Sequence, residues 1–106
     1  MNALRARKRF GQNFLTDPVV VERIVALISA GPDDHIVEIG PGRRALTDPL
    51  SGRAGQLTLV EIDRDLGSSL SAHFAARTNV TVLVGDALAV DFATLATDRP
   101  LRVVGN

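Results

Sequence analysis

The stretch "IVEIGPGRRA", Ile36 to Ala45, constrains this chain more than any other. An apolar, β-branched run breaks at once into Gly40-Pro41-Gly42. Such a run reads as a buried strand ending in a turn that only glycine enters freely. Beyond it the pattern repeats. "QLTLVEID" alternates and suggests a second strand, "NVTVLVG" a third and "LRVVGN" a fourth. Between them, Ala45 to Leu50 predicts a short helix closed by Ser51-Gly52. Asp65 to Arg77 predicts a longer one with Leu66, Leu70 and Phe74 on one face. "DALAVDFATLA" predicts a loop with a helical turn. Upstream, Asp17-Pro18 is an N-cap followed by a first-turn proline. The helix it opens sets Val20, Ile24, Leu27 and Ile28 on one face and ends at Gly31-Pro32.

Strands alternating with helices predict an α/β fold with a parallel sheet and right-handed crossovers. Ligands of such sheets lie beyond the carboxyl ends of the strands, near the point where strand order reverses. The residues there are Gly40 and Gly42, Glu61 and Asp63, Gly85 and Asp86, then Gly105 and Asn106. Glu61, about twenty residues past the glycine turn, is placed to accept the hydroxyls of a ribose. Asp86 is placed to accept from the exocyclic amine of an adenine. The strand ends therefore point to an adenosine-containing ligand.

Two ligand classes compete. Gly40-Pro-Gly42-Arg-Arg-Ala45 satisfies G-x-G-x-x-[G/A], the dinucleotide pattern, with Glu61 as its acid. The second class is S-adenosylmethionine. Glu38, two residues before Gly40, would repel a pyrophosphate but favours a molecule carrying a sulfonium and an ammonium. Asp86 favours the same choice, so the residues weigh toward the methyl donor.

Charge is uneven although the net is zero. The first sixteen residues hold Arg5, Arg7, Lys8 and Arg9 and no acid, while the rest holds eight bases and twelve acids. A basic arm over residues 1–16 suits a phosphate backbone or a frayed terminus. The remainder, 17–106, reads as one domain of mildly acidic character. No cysteine is present, which excludes disulfides and thiolate metal sites and is compatible with a cytoplasmic location. No apolar run is long enough for a membrane span. His35 and His73 lack metal-ligand spacing and read as core or surface residues, and Phe74 and Phe92 as core.

The motifs together closely resemble those of the KsgA-type (RsmA) small-subunit rRNA adenine dimethyltransferases. "KRFGQNFL", "VEIGPG", "LTDPL", "VEIDRDL", "VGDAL" and "VVGN" follow in that family's order at similar spacing, from residue 5 to residue 106. The resemblance implies a Rossmann-like class I methyltransferase fold. It also implies transfer of methyl groups from S-adenosylmethionine to N6 of two adjacent adenines near the 3′ end of small-subunit rRNA. The macrolide-resistance methyltransferases of large-subunit rRNA are the nearest alternative. An NAD-binding Rossmann domain and a non-catalytic RNA-binding or assembly module are more distant ones. Carried onto this chain, the resemblance makes Asn13, Leu15, Gly40, Glu61, Asp86 and Asn106 cofactor-binding. Asn106 would also be catalytic, through a side-chain carbonyl that orients the target amine. Arg5, Arg7, Lys8 and Arg9 would contact RNA phosphates.

Two departures stand out. Position 44, glycine in the family's turn, is Arg44 here, so the turn is expected to be strained and cofactor binding weakened. The arginine side chain is expected toward the cofactor, RNA or solvent. The sequence also ends at Asn106, ahead of the proline and aromatic of the family's catalytic motif. It is therefore expected to be an N-terminal fragment, with about four strands, no catalytic competence alone and a sheet edge open to self-association.

Overall fold

The computed structural model describes residues 16–96 and 99–105. Helix α1 spans Pro18–Ile28, β1 His35–Ile39, α2 Thr47–Ser51, β2 Gln56–Glu61 and α3 Arg64–His73. They are followed by β3 over Val80–Val84, a 3₁₀ turn over Ala87–Ala89, α4 over Phe92–Leu95 and β4 over Leu101–Gly105. The four strands form one parallel sheet in the order β3-β2-β1-β4. Strand order therefore reverses between β1 and β4, as the α/β pattern requires of a ligand-binding sheet.

The helix ends follow local chemistry. Asp17 accepts from the Val19 amide at 2.9 Å, with Pro18 in the first turn of α1. Asp63 caps α3 by accepting from the Asp65 and Leu66 amides at 2.9 and 3.0 Å. Helix α1 stops at Ile28, earlier than Gly31-Pro32, because Ser29 turns left-handed and its N–H closes on Val25 O at 3.1 Å. Helix α3 likewise ends at His73, short of Arg77.

Strand register sorts the side chains onto two faces. Ile36, Glu38, Leu57, Leu59 and Glu61 share one face with Val80 and Val82. Against it pack Leu46, Leu50, Leu70 and Phe74, with Val21, Ile24, Val25 and Ile28 of α1. Each fully buried leucine or isoleucine here is worth about 1.5–3 kcal/mol. The apolar stripe of α1 is thus Val21, Ile24, Val25 and Ile28. Leu27, expected inside, is 86% exposed, because it lies about 100° round the helix from Ile28. Leu66 is also exposed, and Gly67 takes its place against the sheet. A Cβ on Gly67 would sit 2.4 Å from Val84 Cγ2, so glycine sets how closely α3 approaches β3. Strand β2 is buried on both faces from Leu57 onward, not alternating as its sequence suggests, because it is central in the sheet.

The chain crosses to the opposite face only after β3. Thr94 and Leu95 lie there, beside His35, Thr58 and Thr81. The imidazole of His35 meets the Thr58 hydroxyl at 2.8 Å, so this buried histidine is a satisfied core residue. Phe74 is buried and Phe92 half-buried, in line with core roles. Within the described residues β3 and β4 form the two edges of the sheet. No helix among these residues is long and apolar enough to cross a membrane.

Candidate cofactor site at the strand tips

The carboxyl ends of three adjacent strands converge. Backbone hydrogen bonds trace the convergence: the Gly40 amide donates to Val60 O at 2.9 Å, and the Gly85 amide donates to Glu61 O at 2.9 Å. Gly40, Glu61 and Asp86 therefore stand at neighbouring tips, as the sequence predicts. On the other side of β1, Gly105 lies opposite Ile39.

The turn after β1 supplies room. Gly40 has φ +66° and Gly42 φ +55°, a region in which a Cβ is strained. No described atom lies within 4 Å of where a Cβ on Gly40 would project. Among the described residues the Gly40 backbone thus faces open space that a side chain would fill.

The acids differ in burial. Glu61 is 5% exposed, and its Oε2 accepts from the Asp63 amide at 3.0 Å. Asp86 is exposed and accepts from the Leu88 amide at 2.9 Å, fixing the 3₁₀ turn that follows β3. Both bonds are local and occupy one oxygen of each carboxylate, leaving acceptor capacity at the tips. Glu38 is different. It lies beneath the glycine turn, 3% exposed, on the helix-covered face. Its Oε1 accepts from the Thr47 hydroxyl at 2.6 Å. Burial pushes its pKa up from 4.5 to about 7; the Thr47 bond opposes the rise and nearby Asp48 adds to it.

Exposed apolar side chains flank the acids. Ile62, directly after Glu61, is 71% exposed, and Leu88, two residues after Asp86, is 94% exposed. Leu66 and Val84 extend this patch. Sequence reasoning passed over Ile62 and Leu88 and set Leu66 on the apolar face of its helix. The signal was available: an apolar residue following a strand-end acid has no core to enter, so it flanks whatever the acid holds.

Arg44 has φ +70°, the left-handed conformation that glycine would take at no cost, and a non-glycine residue there loses of order 1–2 kcal/mol. Its side chain, 33% exposed, turns to two helices. Nη1 reaches Asp48 Oδ1 at 3.2 Å and Oδ2 at 3.4 Å, and also contacts His73 Nε2 in the last turn of α3. His73 lies 3.4 Å from the same Asp48 oxygen. The bridge between two helices was not among the directions expected for this side chain. His73, expected as a core or surface residue, is half-exposed and part of that bridge.

Asn13, Leu15 and Asn106 of the expected site, and Arg5, Arg7, Lys8 and Arg9 of the expected RNA contact, lie outside the described residues. A cavity of ≈ 230 Å³ occurs at the opposite end of the sheet, where His35, Gln56, Thr78 and Asn79 begin or precede their strands. Among the described residues no carboxylate lines it, unlike the tips.

The ribosomal RNA adenine dimethylase family model matches residues 3–106. The chain belongs to that family. It is 53% identical over its whole length to the ribosomal RNA small subunit methyltransferase A of Aromatoleum aromaticum, covering 39% of that protein. It is 50% identical to the protein of the same name from Proteus mirabilis, over 95% of this chain and 38% of that protein. The chain therefore spans about two-fifths of the curated relatives it matches. Among solved structures, the 23S rRNA methyltransferase ErmE superposes with a TM-score of 0.72 at 32% identity, over 84% of this chain and 35% of that one. The Rossmann-like methyltransferase architecture of this dimethylase-family chain is thus shown by sequence and by fold.

Proposed function

We propose that this chain is the cofactor-binding part of an S-adenosylmethionine-dependent rRNA adenine N6-dimethyltransferase acting on small-subunit rRNA. The observation that carries the proposal is the convergence of Gly40, Glu61 and Asp86 at three adjacent strand tips. The donor set fits the cofactor. Glu61 offers acceptors for ribose hydroxyls and Asp86 for an adenine amine. Ile62 and Leu88 offer apolar walls for the ring, and the open backbone at Gly40 accommodates the amino-acid end. Glu38 places a carboxyl under that end, in keeping with an ammonium and unsuited to a pyrophosphate.

When bound, S-adenosylmethionine supplies a methyl group activated by the sulfonium. The chain's own residues bind and orient. Proton abstraction by a strong base is not required for an adenine amine; alignment supplies most of the rate. In this reading Asn106 orients that amine and Asn13 and Leu15 border the cofactor. Arg5, Arg7, Lys8 and Arg9 hold RNA phosphates, a salt-sensitive contribution without sequence information. An rRNA substrate implies a cytoplasmic location. Relatives named for the small subunit match at about 50% identity, against 32% for the 23S enzyme, which favours the small-subunit substrate.

Calorimetry on the 106-residue chain tests the cofactor half of the reading: S-adenosylhomocysteine binds and NAD does not. Binding of NAD alone would overturn it. Binding of ribosomal RNA with neither cofactor would instead support a non-catalytic assembly role. Transfer of labelled methyl groups to small-subunit and large-subunit rRNA, by the longer protein carrying this segment, decides the substrate. Self-association through the β3 or β4 edge is read from sedimentation of the same chain.

A further inference from the structure

We infer that Arg44 is a positioning residue for the cofactor-facing turn: a clamp from its side chain to α2 and α3 holds the turn in a shape that glycine would otherwise supply. The inference rests on the cofactor reading above but has a readout independent of it.

Position 44 is held from three sides. Its N–H donates to Pro41 O at 2.9 Å, closing the turn that contains Gly42. Its carbonyl accepts from the Asp48 amide at 3.1 Å, starting the path into α2. Its guanidinium meets the Asp48 carboxylate and the His73 ring, which belong to two different helices. The backbone is left-handed there, at φ +70°. An arginine with no side-chain partner would drift back toward φ below zero and carry Gly42 and Gly40 with it. The charged groups at this spot are Arg44 and Asp48, with His73 facing them from α3, and Asp48 is also the acid that acts on buried Glu38. The clamp therefore joins the turn that faces the cofactor, the helix that braces Glu38 and the helix that follows Glu61. The strain expected of a non-glycine residue is present, and the same side chain opposes it.

Two substitutions separate strain from clamp. Arg44→Ala keeps the strain and removes the clamp; Arg44→Gly removes both. If the alanine variant leaves the turn correctly shaped about a tenth of the time, its apparent dissociation constant for S-adenosylhomocysteine rises about tenfold. The glycine variant is expected within about threefold of the unsubstituted chain, because a residue without a Cβ needs no clamp. The second readout is amide hydrogen exchange without any ligand. Residues 40–48 are expected to exchange faster in Arg44→Ala, with β1, β2 and β3 still protected, and to recover in Arg44→Gly. Three results would overturn the inference. One is an alanine variant that binds and exchanges like the unsubstituted chain. Another is a glycine variant as impaired as alanine, and the third is loss of protection across the whole sheet. If no form binds S-adenosylhomocysteine, the cofactor reading fails, and the exchange pattern still decides the role of Arg44.

Discussion

The two ends of the sheet treat polar side chains in opposite ways. At the end where the strands begin, polar groups reach partners far away in sequence. Asn79 Nδ2 donates to Ser51 O at 2.9 Å and to Ala54 O at 3.1 Å. Arg77 donates to Ser51 O at 3.2 Å, His35 pairs with Thr58, and Arg102 spans to Asp34 at 3.4 Å and to Ile28 O. The acids that end or follow the strands bond locally instead: Glu61 to the Asp63 amide, Asp63 to Asp65, Asp86 to Leu88. Long-range bonds tie segments together and stabilise the fold. Local bonds orient a carboxylate while leaving its other lone pairs for a ligand. Polar residues of similar composition are thus structural at one end of a strand and available at the other.

Glu38 strains that contrast most, being at the tip end yet buried and paired with Thr47. Its carboxyl titrates near 7 when folded, against 4.5 in its ordinary state. The folded protein therefore holds this proton more tightly than the unfolded chain. Stability falls as pH rises from about 4.5 to about 7 and is level above, a total of about 3 kcal/mol from this group. Glu38→Gln is expected to be more stable than the unsubstituted chain by up to about 3 kcal/mol at pH 8 and equal to it at pH 4. Urea unfolding at both pH values checks this. A difference independent of pH would show that burial of the charge is not what the variant relieves. The same variant is expected to lose cofactor affinity, since an amide offers no charge to an ammonium.

Glu61→Gln sharpens the contrast. It keeps an acceptor for the Asp63 amide, so stability is expected to change by no more than about 1 kcal/mol, the scale of one hydrogen bond. Affinity for S-adenosylhomocysteine is expected to fall about tenfold to a hundredfold, the range of a hydrogen bond to a charged group. Asn79→Ala is the reverse. It removes the donor shared by Ser51 O and Ala54 O, costs about 1–2 kcal/mol in denaturant unfolding and leaves affinity unchanged. Equal effects of the two variants on binding would abolish the division between the ends.

Much of this was legible in the sequence, for reasons tied to particular residues. The Gly40 turn, the Asp17 cap and the β-branched runs are local signals, and each appears where it was expected. Glu61 and Asp86 followed from strand boundaries alone. What was not legible depends on tertiary neighbours. Leu27 and Leu66 occupy helical positions compatible with burial, and only the angle at which each helix meets the sheet decides against them. The alternation in β2 suggests one wet face, and its central place in the sheet overrides it. The partners of Arg44 lie four and twenty-nine residues away, and no local pattern announces the more distant of them. Glu38 was visible as an acid near a glycine turn, but its burial depends on where Thr47 and α2 fold back.

The smallest expected effect tests whether the apolar part of the tips belongs to the site. Leu88 is so exposed that it has almost no packing to lose, so Leu88→Ser is expected to change stability by no more than about 0.5 kcal/mol. If its side chain walls an adenine, the substitution exposes ring surface in the complex. Affinity for S-adenosylhomocysteine then falls roughly threefold, the scale of one or two buried methylenes reduced by partial contact. Leu27→Ser is the matched control, because Leu27 is equally available to solvent but sits on α1. It is expected to change neither quantity. Calorimetry on the pair reads the difference directly. A threefold loss at Leu88 alone extends the ligand-facing character of the tips from their acids to their apolar rim. If neither variant moves affinity, the exposed leucine is surface like any other, and the difference between the ends of the sheet reduces to carboxylates and glycines.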